Sequence, residues 1–112
     1  MENLPKEKWS AFCDKVTKAL TGLRAEIEVQ SLDLGDQVEA ENLPILGLVY
    51  DHKNDLFEVA LEGLDHLILH PVELHVKGDA VRIESILVID KEGTRHLVSF
   101  TEPLMLPAPS AE

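Results

Sequence analysis

Val16-Thr17-Lys18-Ala19-Leu20-Thr21-Gly22-Leu23-Arg24-Ala25-Glu26-Ile27-Glu28-Val29-Gln30 holds the change of period that decides the fold. Up to Leu20 the apolar residues recur at helical spacing. Turning each residue by about 100° places Trp9, Phe12, Cys13, Val16, Ala19 and Leu20 on one face. Ser10, Asp14, Lys15 and Lys18 fall elsewhere. Beyond Gly22 the beat becomes two: Leu23, Ala25, Ile27 and Val29 alternate with Arg24, Glu26, Glu28 and Gln30, the pattern of a half-buried strand. Pro5 suits a first helical turn, where its missing N–H is no loss, Asn3 is the better cap, and Gly22 suits the position just past the end.

Working toward the C-terminus, further strands are predicted over 45–51, 57–61, 72–76, 81–89 and 94–101. Asp51-His52-Lys53-Asn54-Asp55, Gly78-Asp79 and Asp90-Lys91-Glu92-Gly93 are short turns between them, with Asn54 a residue able to take the left-handed position. Short connections imply antiparallel pairing, because parallel strands need long crossovers. Val81 and Ile83 are out of phase with Ile86 and Val88, so either both faces are covered from Ser85 onward or a bulge near Ser85 resets the alternation. Residues 31–44, around Gly35, read as a turn plus an edge strand or a long loop. The segment Gly63 to His70 reads as a one-turn helix or irregular crossover. Residues 1–102 form one domain, and 103–112, with its prolines, reads as an extended tail pinned by Leu104 and Leu106. The expected fold is α+β: an N-terminal amphipathic helix packed on a curved, mainly antiparallel sheet of five or six strands, barrel-like or two-layered.

The 112 residues carry a net charge of -11. The first 24 residues hold five cations and three carboxylates; the remainder holds five cations and eighteen carboxylates. That distribution opposes nucleic-acid binding, which needs clustered Lys and Arg. The N-terminus lacks the basic-then-apolar pattern of a secretory signal, and no apolar run approaches the roughly 20 residues of a membrane span. The lone cysteine, Cys13, forms neither an internal disulfide nor a Cys-x-x-Cys pair, and its place on the apolar helix face makes it a buried small hydrophobe rather than a nucleophile. A reducing, cytoplasmic setting without membrane attachment is expected.

Chemistry-bearing motifs are sparse. No G-x-S-x-G, P-loop or G-x-G-x-x-G occurs. The one local constellation is Asp65, His66 and His70, a candidate ligand or interaction site. On a helix the two imidazoles would stand one turn apart and could share an ion; on a strand, about 13 Å apart, they could not. Pro71 pushes His70 out of helical geometry, and a zincin helix needs Glu where Leu67 stands. The expectation is therefore no metal, no cofactor and no catalytic residue. Two functional readings remain. The first is a non-enzymatic interaction or regulatory domain, with a protein partner or a homodimer; surplus apolar residues such as Leu46, Leu48, Ile86 and Val88 then cover a second sheet face or mark an interface. The second is a small-ligand protein or hydrolase-type enzyme using Asp65, His66 and His70. Polar groups converging in a concavity would favour the second; a flat apolar patch or an open sheet edge would favour the first.

Three stretches in order, Leu32 to Glu41, Glu62 to Ile68 with His70-Pro71, and Pro103 to Ala108, resemble a family of short bacterial proteins catalogued only as a domain of unknown function. Similar proteins carry a basic residue where this chain has Leu69. The resemblance implies a bacterial, cytoplasmic protein and carries over no activity, cofactor or catalytic residue.

Overall fold

The computed structural model describes residues 2–79 and 81–106. The elements run β1 (Glu2–Asn3), a 3-10 turn (Lys6–Lys8), α1 (Trp9–Ala19), β2 (Arg24–Ser31), β3 (Gly35–Asp51), β4 (Leu56–Leu61), β5 (Leu64–Leu69), β6 (Pro71–Gly78), β7 (Arg82–Asp90) and β8 (Arg95–Met105). They build an α+β fold with one short helix and an antiparallel sheet. Among the described residues the sheet is open and has eight strands in the order β1-β6-β7-β8-β2-β3-β4-β5, so the expected five or six strands are too few. The surplus comes from two places. Glu2–Asn3 pairs with β6 instead of capping a helix, and Leu64–Leu69 is a strand instead of a helical turn.

Each correction has a physical cause. Asn3 is taken up by the ladder opposite His75, so Pro5 precedes a 3-10 turn and α1 starts only at Trp9, with no side-chain cap. After β4, the two-residue turn Glu62-Gly63 reverses the chain because Gly63 adopts a left-handed φ of 80°. Leu64 to Leu69 then alternates, with His66 and Ile68 inward and Asp65, Leu67 and Leu69 exposed. An apolar run of this length fits either period, and the glycine decides it. In the turn between β3 and β4 the left-handed residue is Asp55, φ 48°, rather than Asn54.

Strand β3 belongs to two ladders. Gly35 to Pro44 pairs with β2, and Ile45 to Asp51 pairs with β4, with a register shift between Ile45 and Gly47. Residues 31–44 are thus a tight turn followed by a strand. Where β3 leaves β2, α1 takes over its edge. Thr17 Oγ1 accepts a 2.9 Å hydrogen bond from the Leu48 amide and donates one of 3.0 Å to the Leu48 carbonyl. The close approach needs Gly47: a Cβ there would lie 3.2 Å from Thr17 Cγ2. The helix also seats Trp9, Cys13 and Val16 in the core with Ile27, Leu48, Phe57 and Ile68. Trp9 meets Phe57 and Tyr50 edge-on, and its Nε1 donates to the Leu4 carbonyl at 2.8 Å.

Both expectations for β7 hold together. Its pairing with β8 shifts register between Ile83 and Ser85, and Ser85, Ile86, Leu87 and Val88 are all buried. The helix rests along β3. The β8 ladder continues through Pro103 to Met105, and Leu104 and Leu106 are buried, so pairing reaches three residues into the segment read as a tail. Residues 107–112 lie outside the described residues.

Candidate functional site

The sheet bends until a side chain of β5 meets one of β8, although β2, β3 and β4 separate the two strands in order. The contact is polar. His66 Nε2 lies 2.9 Å from His96 Nδ1, and His96 Nε2 lies 3.0 Å from Asp90 Oδ2. Asp90 also accepts the amides of Glu92 and Thr94 through Oδ1, each at 3.0 Å, so its carboxylate is fixed in place by the β7–β8 turn. The three side chains form a line in which one proton can be handed along. With Asp90 ionised, His96 carries its hydrogen on Nε2. Neutral His96 then offers Nδ1 as an acceptor to His66 Nε2–H, leaving a lone pair on His66 Nδ1. Burial, then the neighbouring His96, holds the His66 pKa below the usual histidine value, with Glu39 opposing.

A second network ties the corner after β5 to the N-terminal segment. Asp55 accepts the Tyr50 hydroxyl at 2.7 Å, pairs with Lys6 at 3.1 Å, and lies 3.5 Å from His70 Nδ1. The Tyr50 hydrogen bond, set against partial burial and reinforced by Lys6, holds the Asp55 carboxyl below its ordinary range. Lys6 also lies over the Trp9 ring and donates to the Pro71 carbonyl. His70 and Asp55 both have positive φ, and the His70 amide donates to the Asp55 carbonyl at 2.9 Å.

The three residues singled out in the sequence therefore separate. Asp65 faces outward on β5, His66 faces inward to His96, and His70 turns to Asp55. The strand geometry removes the shared-ion arrangement of a helix. Among the described residues, no three His, Cys, Asp or Glu side chains gather around one point. Sequence reasoning missed His96 and Asp90 as the partners of His66. The available signal was phase: His96 shares its strand face with Val98 and Phe100, and a histidine on a buried face needs a polar neighbour. Cys13 is buried, and desolvation pushes its thiol up to about 12, which makes it unreactive.

Beside the relay runs a groove of about 300 Å³ between Leu67, Leu69 and His70 on one side and Asp90, Lys91 and Glu92 on the other. One wall is a sheet edge. Leu61 and Leu64 close a two-residue hairpin and so form a bonded pair; by alternation Val59/His66 and Phe57/Ile68 are bonded too. The main-chain groups of Asp65, Leu67 and Leu69 therefore point away from β4, on the side where no further strand pairs with β5 among the described residues. Leu67 and Leu69 are 53% and 63% exposed. Other boundaries are guarded. The helix covers Leu48, the N-terminal strand covers β6, and the open side of Gly35 to Asn42 carries Asp36, Glu39 and Glu41. Of the surplus apolar residues, Leu48, Ile86 and Val88 are core, and Leu46 is exposed.

Comparison with known proteins adds kinship without chemistry. A family of unknown function, DUF5335, matches residues 1–109. An uncharacterized protein of the bacterium Aquifex aeolicus (strain VF5) is 43% identical over 105 residues, covering 93% of this chain and 95% of that protein. No solved structure matches the chain. A family match over nearly the whole length, together with that relative, makes the chain a member of the DUF5335 family.

Proposed function

We propose that the protein is a small, non-enzymatic interaction module whose working surface is the open edge of β5 with its adjoining groove. It takes an extended segment of a partner protein as an added strand. The observation that supports this reading is an edge with no paired strand among the described residues: main-chain donors and acceptors of Asp65, Leu67 and Leu69 face outward beside two exposed leucines. Strand addition uses such groups for affinity and the flanking side chains for selectivity. A buried, disulfide-free cysteine fits a reducing, cytoplasmic setting in a bacterium. To test the reading, a photoreactive residue replaces Leu67 in cells of the host bacterium, with exposed His52 as the control position. We expect a discrete protein adduct at 67 that is suppressed by adding Leu69→Lys. Equal labelling at both positions, or none at 67, would sink the reading.

A second reading has one observation in its favour. The Asp90–His96–His66 line could serve proton transfer for a small ligand in the groove. It ranks second because it does not unite Asp65, His66 and His70, the residues on which a ligand site was expected. A metabolite that raises the melting temperature of the wild type and not of His66→Gln would promote it.

A further inference from the structure

We infer that His66 and His96 form a proton-operated latch: while either ring is neutral they fasten β5 to β8, and when both are protonated they part and His66 turns to Glu39. The latch is a property of the two rings; its control of binding rests on the edge reading above. The hydrogens set the number of protons required. Asp90 takes the hydrogen on His96 Nε2, so His96 Nδ1 accepts from His66 Nε2–H. A first added proton goes to the lone pair on His66 Nδ1, and the bond to His96 survives. A second has only His96 Nδ1 left, the accepting atom itself. Two N–H groups would then face each other across 2.9 Å, and the bond is lost. The pair titrates as a unit, indifferent to its first proton and released by its second.

The surroundings decide which ring moves and where. In the ladders His66 lies opposite Val59, and His96 lies between Val29 and Val88, so the flanking side chains are apolar. The charges that bear on the pair from other elements are Asp90 at the end of β7 and Glu39 on β3. Lys91, Glu92 and His70 line the groove beyond, and Asp65 faces outward. Asp90 is fixed by the amides of Glu92 and Thr94, so His96 keeps its place. His66 is the ring that swings, and Glu39 is the carboxylate that favours its charged form. The open form binds the second proton more readily than the closed one, so acid drives opening. Strands β5 and β8 share no ladder among the described residues, so no main-chain bond between them holds the seam once the rings part.

In protein labelled with nitrogen-15, the scalar coupling between His66 Nε2 and His96 Nδ1 reports the bond directly. We expect it at pH 7.5, still present after one ring has become imidazolium, and gone when both have. Beyond that point the exchange of the His66 and Ile68 amides, corrected for the intrinsic rate, should rise by up to about tenfold for each further pH unit. His66→Gln is the control, because its amide can donate to a neutral His96 or accept from a charged one; its Ile68 amide should show no such rise. Glu39→Gln should delay release to lower pH, and no delay would remove Glu39 as the new partner. Circular dichroism at each pH confirms that the chain stays folded. A coupling absent at pH 7.5, a coupling that outlasts both protonations, or an equal acid response in His66→Gln overturns the latch.

Photoreactive capture at position 67, in cells with and without a permeant weak acid, separates the latch from the edge reading. Capture that acid abolishes supports the control of binding. If the latch opens and capture is unchanged, that control is overturned. If the latch opens and position 67 captures nothing even without acid, the edge reading falls and the latch stands. If capture occurs and the coupling never breaks, the latch falls and the edge reading stands.

Discussion

His66 Nε2 stands 2.9 Å from His96 Nδ1, the one side-chain hydrogen bond among the described residues that joins β5 to β8 across the bend of the sheet. It positions the edge that we assign to binding. It also couples that edge to pH, because the bond needs one of the two rings to accept.

Stability should fall on mild acidification. Burial and His96 hold His66 below its ordinary value of 6.5, so the unfolded chain binds this proton first. Between the depressed folded value and 6.5 the unfolded state holds more protons, and stability rises with pH. We expect the urea midpoint to drop as pH is lowered from 7.5 through 6.5, and His66→Gln to remove part of that dependence. An identical pH profile for the variant would contradict this assignment.

The relay should behave as a unit. His66→Leu or His96→Leu alone leaves a buried polar partner unmatched, at about 1–3 kcal/mol each. The double variant should be less destabilised than the sum, with a coupling of about 1 kcal/mol in a double-mutant cycle. Additive losses would mean that the two rings do not depend on each other.

Thr17 acts as the strand that β3 lacks. Thr17→Val keeps the shape but leaves the Leu48 amide and carbonyl without their partner, and should cost about 1–3 kcal/mol. Thr17→Ser should retain most of the stability. Gly47→Ala should destabilise for the complementary reason, since its methyl meets Thr17. Thermal melts of the three variants suffice.

His70 holds a left-handed backbone at φ 53° with an exposed ring whose closest acidic neighbour is 3.5 Å away. Relief of that strain should outweigh the weak pairing. We expect His70→Gly to leave stability unchanged or raise it by up to about 1 kcal/mol, and His70→Val to lower it by about 1 kcal/mol or more. Chemical denaturation would read both.

Much of the architecture was legible in local pattern. The switch of period at Gly22 located the helix, the first strand and the burial of Trp9, and the turn residues implied the antiparallel hairpins. Leu64 to Leu69 was not legible, because six residues rich in leucine satisfy a helical and a strand period alike; the backbone conformation of Gly63 resolves them. Asn3 looked like a cap because cap chemistry is local, whereas its ladder with His75 is a contact across the chain. The site was harder still. His66 was visible as a candidate, but His96 and Asp90 join it only through the bend of the sheet, which no spacing in the sequence encodes. The open edge is likewise a property of strand order: β5 ends the sheet because β6 crosses to the far side to pair with β7.

Amide hydrogen exchange on the dilute, monomeric protein measures the openness of that edge. The amides of Leu67 and Leu69 should exchange at least about tenfold faster than those of His66 and Ile68, which donate to β4, and faster than that of Leu48, which donates to Thr17. Leu67 and Leu69 amides as slow as their bonded neighbours would mean that the edge is already closed, and the account would fail with it.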